Sequence, residues 1–230
     1  MKKAIKLFSR SISIPLRRIF ALRALKKFHA QPRSLDETVD WALRFPARGY
    51  FRIDSLQKRW EILAMAKDVS ELRPRNILEI GTARGGTLFI WSQLASHKVV
   101  SCDLFPAGHK QSFYESFPPP DSTCRVHHLS GDSHSEVFRE KVFDCFSGEK
   151  VDFLFIDGDH TEAGVEQDYH DYHELVRPGG IIAFHDIVQK QAFDTNQVYY
   201  FWKRVKEGKN VKEFIDDPDQ TGFGIGYIKV

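Results

Sequence analysis

A chain of 230 residues with 42% hydrophobic and 28% charged content is sized for one α/β domain, or two small ones, around a packed core. Cys102, Cys124 and Cys145 form no CxxC pair and no even-numbered framework, which excludes a disulfide scaffold and points to reduced thiols in a cytoplasmic setting. The net charge of +2 hides an asymmetry: residues 1–35 carry ten Lys or Arg and no acid, leaving 23 basic against 31 acidic residues in the remainder.

In the basic segment the longest uncharged run, residues 11–16, is too short for a signal-peptide core, and no stretch of the chain approaches the roughly 20 apolar residues of a membrane span. A helix starting at Pro15 would present Leu16, Ile19, Phe20 and Phe28, with Arg23 and Lys27 falling among them on a helical wheel. It reads as a helical extension packing on the body or on a second copy of the chain, with peripheral contact of residues 1–30 with the inner membrane face as the alternative. No aromatic-interleaved basic patch occurs elsewhere, so nucleic acid is not an expected partner.

Ser34-Leu35-Asp36-Glu37 has capping-box spacing and opens a short helix ended by Pro46 and Gly49. A second helix runs from Asp54 or Ser55 to about Leu72, with Leu56, Trp60, Leu63 and Ala64 as its inward stripe. Next comes the stretch that organises the chain, Asn76-Ile77-Leu78-Glu79-Ile80-Gly81-Thr82-Ala83-Arg84-Gly85-Gly86-Thr87: an apolar strand, a glycine turn and a helix start, with Leu88, Trp91, Leu94 and Ala95 on one buried face. Glycines let a backbone approach a ligand closely, so the turn reads as a cofactor cradle. Its Gly-x-x-x-Gly-Gly spacing argues against the Gly-x-Gly-x-x-Gly of dinucleotide sites and hence against NAD. Glu79, inside an apolar strand, needs a cationic ligand or loop amides as partner.

The strand 98–103 ends in Asp103, placed either to grip a ribose or to cap a loop. Residues 105–123, rich in aromatics and proline, read as a lid. A third strand, 126–129, leads to Asp132, which serves either an adenine amino group or a turn. The fourth strand runs into Asp157-Gly158-Asp159-His160. The following helix buries Val165, Tyr169, Tyr172 and Val176 and turns Glu162, Glu166, Asp168, Asp171 and Glu174 to solvent. The fifth strand, 181–186, ends in His185-Asp186; a helix over 197–206 and strands at 211–215 and 223–230 complete the chain. Repeated βα units with a terminal hairpin predict a doubly wound, mostly parallel sheet with helices on both faces and its ligands at the carboxyl ends of the strands.

Asp157, His160, His185 and Asp186 then share one cleft. They read as a divalent-cation site, Mg²⁺ or Mn²⁺, with an imidazole left to take a proton, or as loop caps.

The series Leu-Glu-Ile-Gly-Thr-Ala-Arg-Gly-Gly-Thr, Asp103, Phe-Ile-Asp-Gly-Asp-His and Arg-Pro-Gly-Gly-Ile-Ile-Ala-Phe-His-Asp resembles the class I S-adenosylmethionine-dependent methyltransferases over roughly residues 54–230. More narrowly it is similar to the branch of macrolide-sugar, rhamnosyl and cephalosporin-tailoring O-methyltransferases. That resemblance implies a Rossmann-like sheet of about seven strands with the last antiparallel, residues 54–230 as the methyltransferase domain and residues 1–53 as a basic helical extension. It implies that S-adenosyl-L-methionine is held by Glu79, Gly81, Thr82, Ala83, Gly85, Gly86 and Thr87, by Asp103 and Leu104 at the ribose, by Asp132 and Ser133 at the adenine, and by Asp157. It also implies Asp157, His185 and Asp186 as metal ligands, His185 standing where a carboxylate is usual, and His160 as the base. The acceptor implied is a hydroxyl of a saccharide or small natural product, with Phe105, Phe113, Tyr114 and Tyr199 available to stack on it. The alternatives are a metal-independent O- or N-methyltransferase, tested by activity in chelator, and a non-catalytic binding subunit docking through the basic segment, tested by cofactor binding without turnover.

Overall fold

The computed structural model describes the backbone of residues 2–46 and 49–230 and the side chains of residues 14–46 and 49–230; the rest of the expected membrane-contact segment, the side chains of residues 1–13, lies outside them. In chain order the elements are α1 (Lys2–Phe28), α2 (Leu35–Leu43), α3 (Arg59–Glu71), β1 (Asn76–Ile80), α4 (Gly86–Leu94), β2 (Lys98–Asp103), α5 (Gln111–Tyr114) and β3 (Arg125–Ser130). They continue with α6 (Glu136–Phe146), β4 (Val151–Ile156), α7 (Glu162–Tyr172), β5 (Val176–His185), α8 (Val198–Val205), β6 (Val211–Phe214) and β7 (Ile225–Lys229).

The seven strands form one sheet in the order β3-β2-β1-β4-β5-β7-β6, with β1 to β5 parallel and β7 inserted antiparallel between β5 and β6. The expected doubly wound sheet with its last strand reversed is present. Alternation along the strands sorts the core into two layers. Ile77, Val99, Phe153, Phe155 and Ala183 pack beneath α1 to α4, while Leu78, Val100, Leu154, Ile182 and Phe184 pack beneath α6 to α8. The chain winds outward from β1 to β3 and returns to β4, so β1 and β4 flank the switch point at which such sheets bind ligands.

The N-terminal helices are built into the first layer. Ala21, Leu25 and Phe28 of α1 are buried, and Phe28 meets Trp41 of α2 and Phe89 of α4 at ring-centroid distances of 4.7 and 5.2 Å. Burying Leu25 and Phe28 contributes about 1.5–3 kcal/mol each to holding the helix down. Ser34 caps α2 through the reciprocal capping box with Glu37 that its spacing predicted.

Several expectations are corrected. Helix α3 starts at Arg59, and its inward side is Ile62, Met65, Ala66 and Val69 with the expected Leu63, Ala64 packing partly buried beside them; Trp60 is 50% exposed, leaning edge-on against Phe214, and Leu56 precedes the helix and is exposed. Helix α4 is buried on all sides, because α2 and α3 cover the face that the sheet does not. Asp168 and Asp171 of α7 are buried: Arg139, from the unanticipated helix α6, donates to Asp171 at 2.7 Å, and His134 lies 3.2 Å from Asp168. Val176 belongs to β5, which runs through Arg-Pro-Gly-Gly by way of a register shift opposite Asp152. In the expected lid, Phe113 and Phe117 are core residues, and Tyr114, though buried, lines the cavity together with residues 105–107 and Lys110.

Candidate active site

The carboxyl ends of β1, β2, β3 and β4 open onto a cavity of about 970 Å³. Ligand pockets span roughly 300–1,000 Å³, so the volume admits a nucleoside-sized cofactor and an acceptor together. Gly81, Ala83, Asp103, Leu104, Asp132, Ser133, Asp157 and His160, all expected at the site, line it.

The glycine turn folds as it does for internal reasons. Gly81 has φ +102°, and a Cβ there would lie 1.9 Å from the carbonyl oxygen of Asp157. A Cβ on Gly86 would lie 2.5 Å from the backbone of Asp54, whose carbonyl accepts from the Gly86 N–H at 3.1 Å. A Cβ on Gly85 would strike the ring of Tyr114. Each glycine thus admits another part of the protein, whereas the sequence alone pointed to close approach by a ligand. Gly85, Gly86, Thr82 and Thr87 do not line the cavity; the backbone of Gly81 and Ala83 does.

Asp103 holds this turn. One carboxylate oxygen accepts from the Ala83 N–H at 2.7 Å and the other from the Phe105 N–H at 2.9 Å. An ionised carboxylate offers about four acceptor positions, so lone pairs remain for a diol; the cap and ligand readings are compatible. Asp132 similarly closes its own turn by accepting from the His134 N–H at 3.0 Å, and its exposed side chain borders the cavity.

Glu79 is not a lining residue. Fully buried, it accepts from the indole of Trp91 at 3.0 Å and from the hydroxyl of Ser101, which also meets Thr82 at 2.6 Å. Burial pushes its carboxyl from the ordinary 4.5 up to about 7, against the opposing hydrogen bond from Ser101. The folded protein therefore keeps this proton over the interval in which the unfolded chain releases it. Stability from this group is greatest below pH 4.5 and declines as the pH rises towards 7. Glu79→Gln is expected to remove that decline, leaving stability unchanged at pH 4.5 and raising it by about 3 kcal/mol at pH 8. Urea denaturation at the two pH values measures it, and equal effects at both would refute the burial argument.

At the ends of β4 and β5 the expected acids and imidazoles do converge. Asp157 accepts at one oxygen from His185 Nδ1 at 3.1 Å and at the other from Gln57 Nε2 at 2.9 Å. Asp186, held at φ +63°, accepts from the Phe223 N–H at 3.1 Å, from Asn196 Nδ2 at 2.6 Å and from His160 Nδ1 at 3.0 Å. The hydrogen bond to Asp186 raises the His160 pKa, against burial. His160 Nε2, 3.8 Å from Asp157, is left on the cavity side. His185 is buried; despite that burial, Asp157 and Asp186 push its pKa up to about 9, and its Nε2 has no hydrogen-bond partner.

The three donors that meet are therefore Asp157, His160 and Asp186, whose ligating atoms lie within 4.8 Å of one another. Two carboxylates and an imidazole suit a hard divalent cation, and the donor set fits one. His185, expected as a ligand, stands behind Asp157 instead. Sequence reasoning missed Gln57 and Asn196, neutral amides with no motif around them, which fix the two carboxylates. It also missed Glu61, a buried carboxylate that fastens the C-terminal strands by accepting from Gly224 N–H at 2.9 Å and Gln220 Nε2 at 2.8 Å.

A doubly wound sheet with β7 reversed and a polar cluster at its switch point is the architecture of the class I methyltransferases. Residues 78–187 match the model of a family described as a methyltransferase domain. A curated relative, the uncharacterized protein y4gI of Sinorhizobium fredii, is 25% identical over 164 residues; the match covers 68% of this chain but only 17% of that protein's length. Among solved structures, the O-methyltransferase from Bacillus cereus in complex with S-adenosylhomocysteine superposes with a TM-score of 0.55 at 19% identity, covering 86% of this chain and 92% of that one. MycE of the mycinamycin pathway, solved with Mg and S-adenosylhomocysteine, gives 0.58 at 15% identity, covering 86% and 55%. TomG from Streptomyces achromogenes, solved with S-adenosylmethionine, gives 0.55 at 14%, covering 86% and 91%. At these identities the structural likenesses establish the fold.

Proposed function

We propose that the chain transfers the methyl group of S-adenosylmethionine to a hydroxyl oxygen of a saccharide or small natural product, with His160 removing the hydroxyl proton. One observation carries the reading: the imidazole of His160, held through Nδ1 by Asp186, borders the same cavity as Asp103, Asp132 and the Gly81 backbone. The sulfonium methyl needs no activation, so the protein's task is alignment and deprotonation. The new C–O bond forms as the C–S bond breaks, S-adenosylhomocysteine leaves, and the proton passes to His160 Nε2. Asp103 would hold the ribose and Asp132 with Ser133 the adenine.

The exposed Phe105 and Tyr50 at the rim offer ring faces to an acceptor. Tyr114 lines the cavity from a buried position, whereas Phe113 is a core residue and Tyr199 lies outside the cavity lining.

The cluster of Asp157, His160 and Asp186 favours a second reading in which these residues hold Mg²⁺ or Mn²⁺. Such a cation supplies Lewis acidity that lowers the pKa of an acceptor hydroxyl. MycE was solved with Mg, which supports it.

Calorimetric titration with S-adenosylhomocysteine, with and without Mg²⁺ and after chelation, tests both readings. Micromolar binding is expected, with a metal heat that Asp186→Ala abolishes. No binding under any condition would refute the cofactor assignment, and full activity in chelator would refute the cation.

A further inference from the structure

The structure resolves the uneven apolar pattern of α1 into two faces. Ala21, Leu25 and Phe28 point into the body. Leu16, Ile19 and Phe20 point away from it and are 53, 45 and 62% exposed. The exposed cations Arg23, Lys26 and Lys27 share their side of the helix, so the charges that interrupt the apolar stripe on a wheel belong to the outward face.

We infer that this outward face of α1 docks the protein on an anionic lipid surface. Three large apolar side chains standing in water form a patch that calls for a partner. Charge selects its kind: residues 1–35 contain no acid, whereas the remainder carries a net negative charge, so an anionic bilayer repels the body and attracts α1. The interleaving argues for lipid over protein. The buried centres of protein interfaces are depleted of charge, and of Lys in particular. An interfacial helix instead sinks its apolar side chains below the headgroups while Lys and Arg extend up to the phosphates. No helix among the described residues is long and apolar enough to cross a membrane, so the contact is peripheral. Ala21, Leu25 and Phe28, with Ile14, Leu22 and Ala24 packed beside them, join α1 to the core, whereas Leu16, Ile19 and Phe20 take no part in it. Arg17 of the same helix lies against Gly49, a residue that lines the cavity: a Cβ on Gly49 would strike its guanidinium.

Co-sedimentation of the full chain with vesicles tests the inference independently of any activity. Binding is expected to vesicles of phosphatidylcholine mixed with phosphatidylglycerol, to weaken as salt is raised, and to be absent from phosphatidylcholine alone. Replacing Leu16, Ile19 and Phe20 together by Ser is expected to lower partitioning about tenfold or more while leaving the melting temperature unchanged, because all three are exposed. Arg23→Glu with Lys27→Glu is expected to act in the same direction. Absence of binding to anionic vesicles, equal binding to neutral ones, or undiminished binding by the Ser variant overturns the inference. So does a dimer that the Ser substitutions dissociate while vesicles are ignored, which would make a second copy the occupant.

Discussion

His160→Ala is expected to lower methyl transfer by about 10²- to 10⁴-fold, the range a positioned general base contributes, while S-adenosylhomocysteine binds within a few-fold of the parent. The fold survives the change because the imidazole is partly exposed and its neighbours keep their own partners: Asn196 still donates to Asp186, and His185 and Gln57 still donate to Asp157. Two roles for the ring are separable. As the base, its removal abolishes turnover and leaves the heat of Mg²⁺ binding intact, and added imidazole restores part of the rate. As a cation ligand, its removal takes the metal heat with it, and imidazole restores both. Activity within tenfold of the parent would show that His160 does neither, since the cluster's other imidazole, His185, is buried behind Asp157 and does not line the cavity.

What was readable before the structure follows from which forces act locally. The strands β1, β4 and β5 are short apolar runs ended by polar residues, and a parallel strand buried on both faces leaves that trace whatever surrounds it. Placing Gly81, Asp103, Asp132, Asp157 and Asp186 together needed only the rule that such strands run the same way. The capping box at Ser34 was equally local. What failed depended on partners distant in sequence. Asp168 and Asp171 lie on the polar side of an amphipathic helix and read as solvated; they are buried because His134 and Arg139, from the segment after β3, come over them. Trp60 and Phe113 exchanged places for a related reason. Periodicity gives the face of a helix, and which face the sheet occupies is decided by neighbours such as α2 and α5 that carry weak patterns of their own. Gln57 and Asn196 had no signal at all, because an amide that positions a carboxylate is chosen by three-dimensional fit alone.

Gly81→Ala is expected to destabilise the protein by about 2–5 kcal/mol, combining about 1–3 for overpacking with about 1–2 for a left-handed backbone. The added carbon would sit 1.9 Å from the carbonyl oxygen of Asp157 and 3.0 Å from the nitrogen of Gly158, both backbone atoms of the neighbouring strand end, so no side-chain rotation relieves the clash. Relief requires β1 and β4 to part where the Asp157 N–H donates to the Ile80 carbonyl at 2.8 Å, and that hydrogen bond places Asp157 in the site. A variant that folds should therefore lose activity as well. Gly148→Ala separates the two contributions, for Gly148 has a similar φ of +82° but nothing within 4 Å of the added carbon. It should cost only the backbone strain, about 1–2 kcal/mol. Urea denaturation of both variants measures the difference, and equal losses would mean that the glycine turn is conserved in shape by backbone conformation alone, with no contribution from the contact between strand ends that the geometry demands.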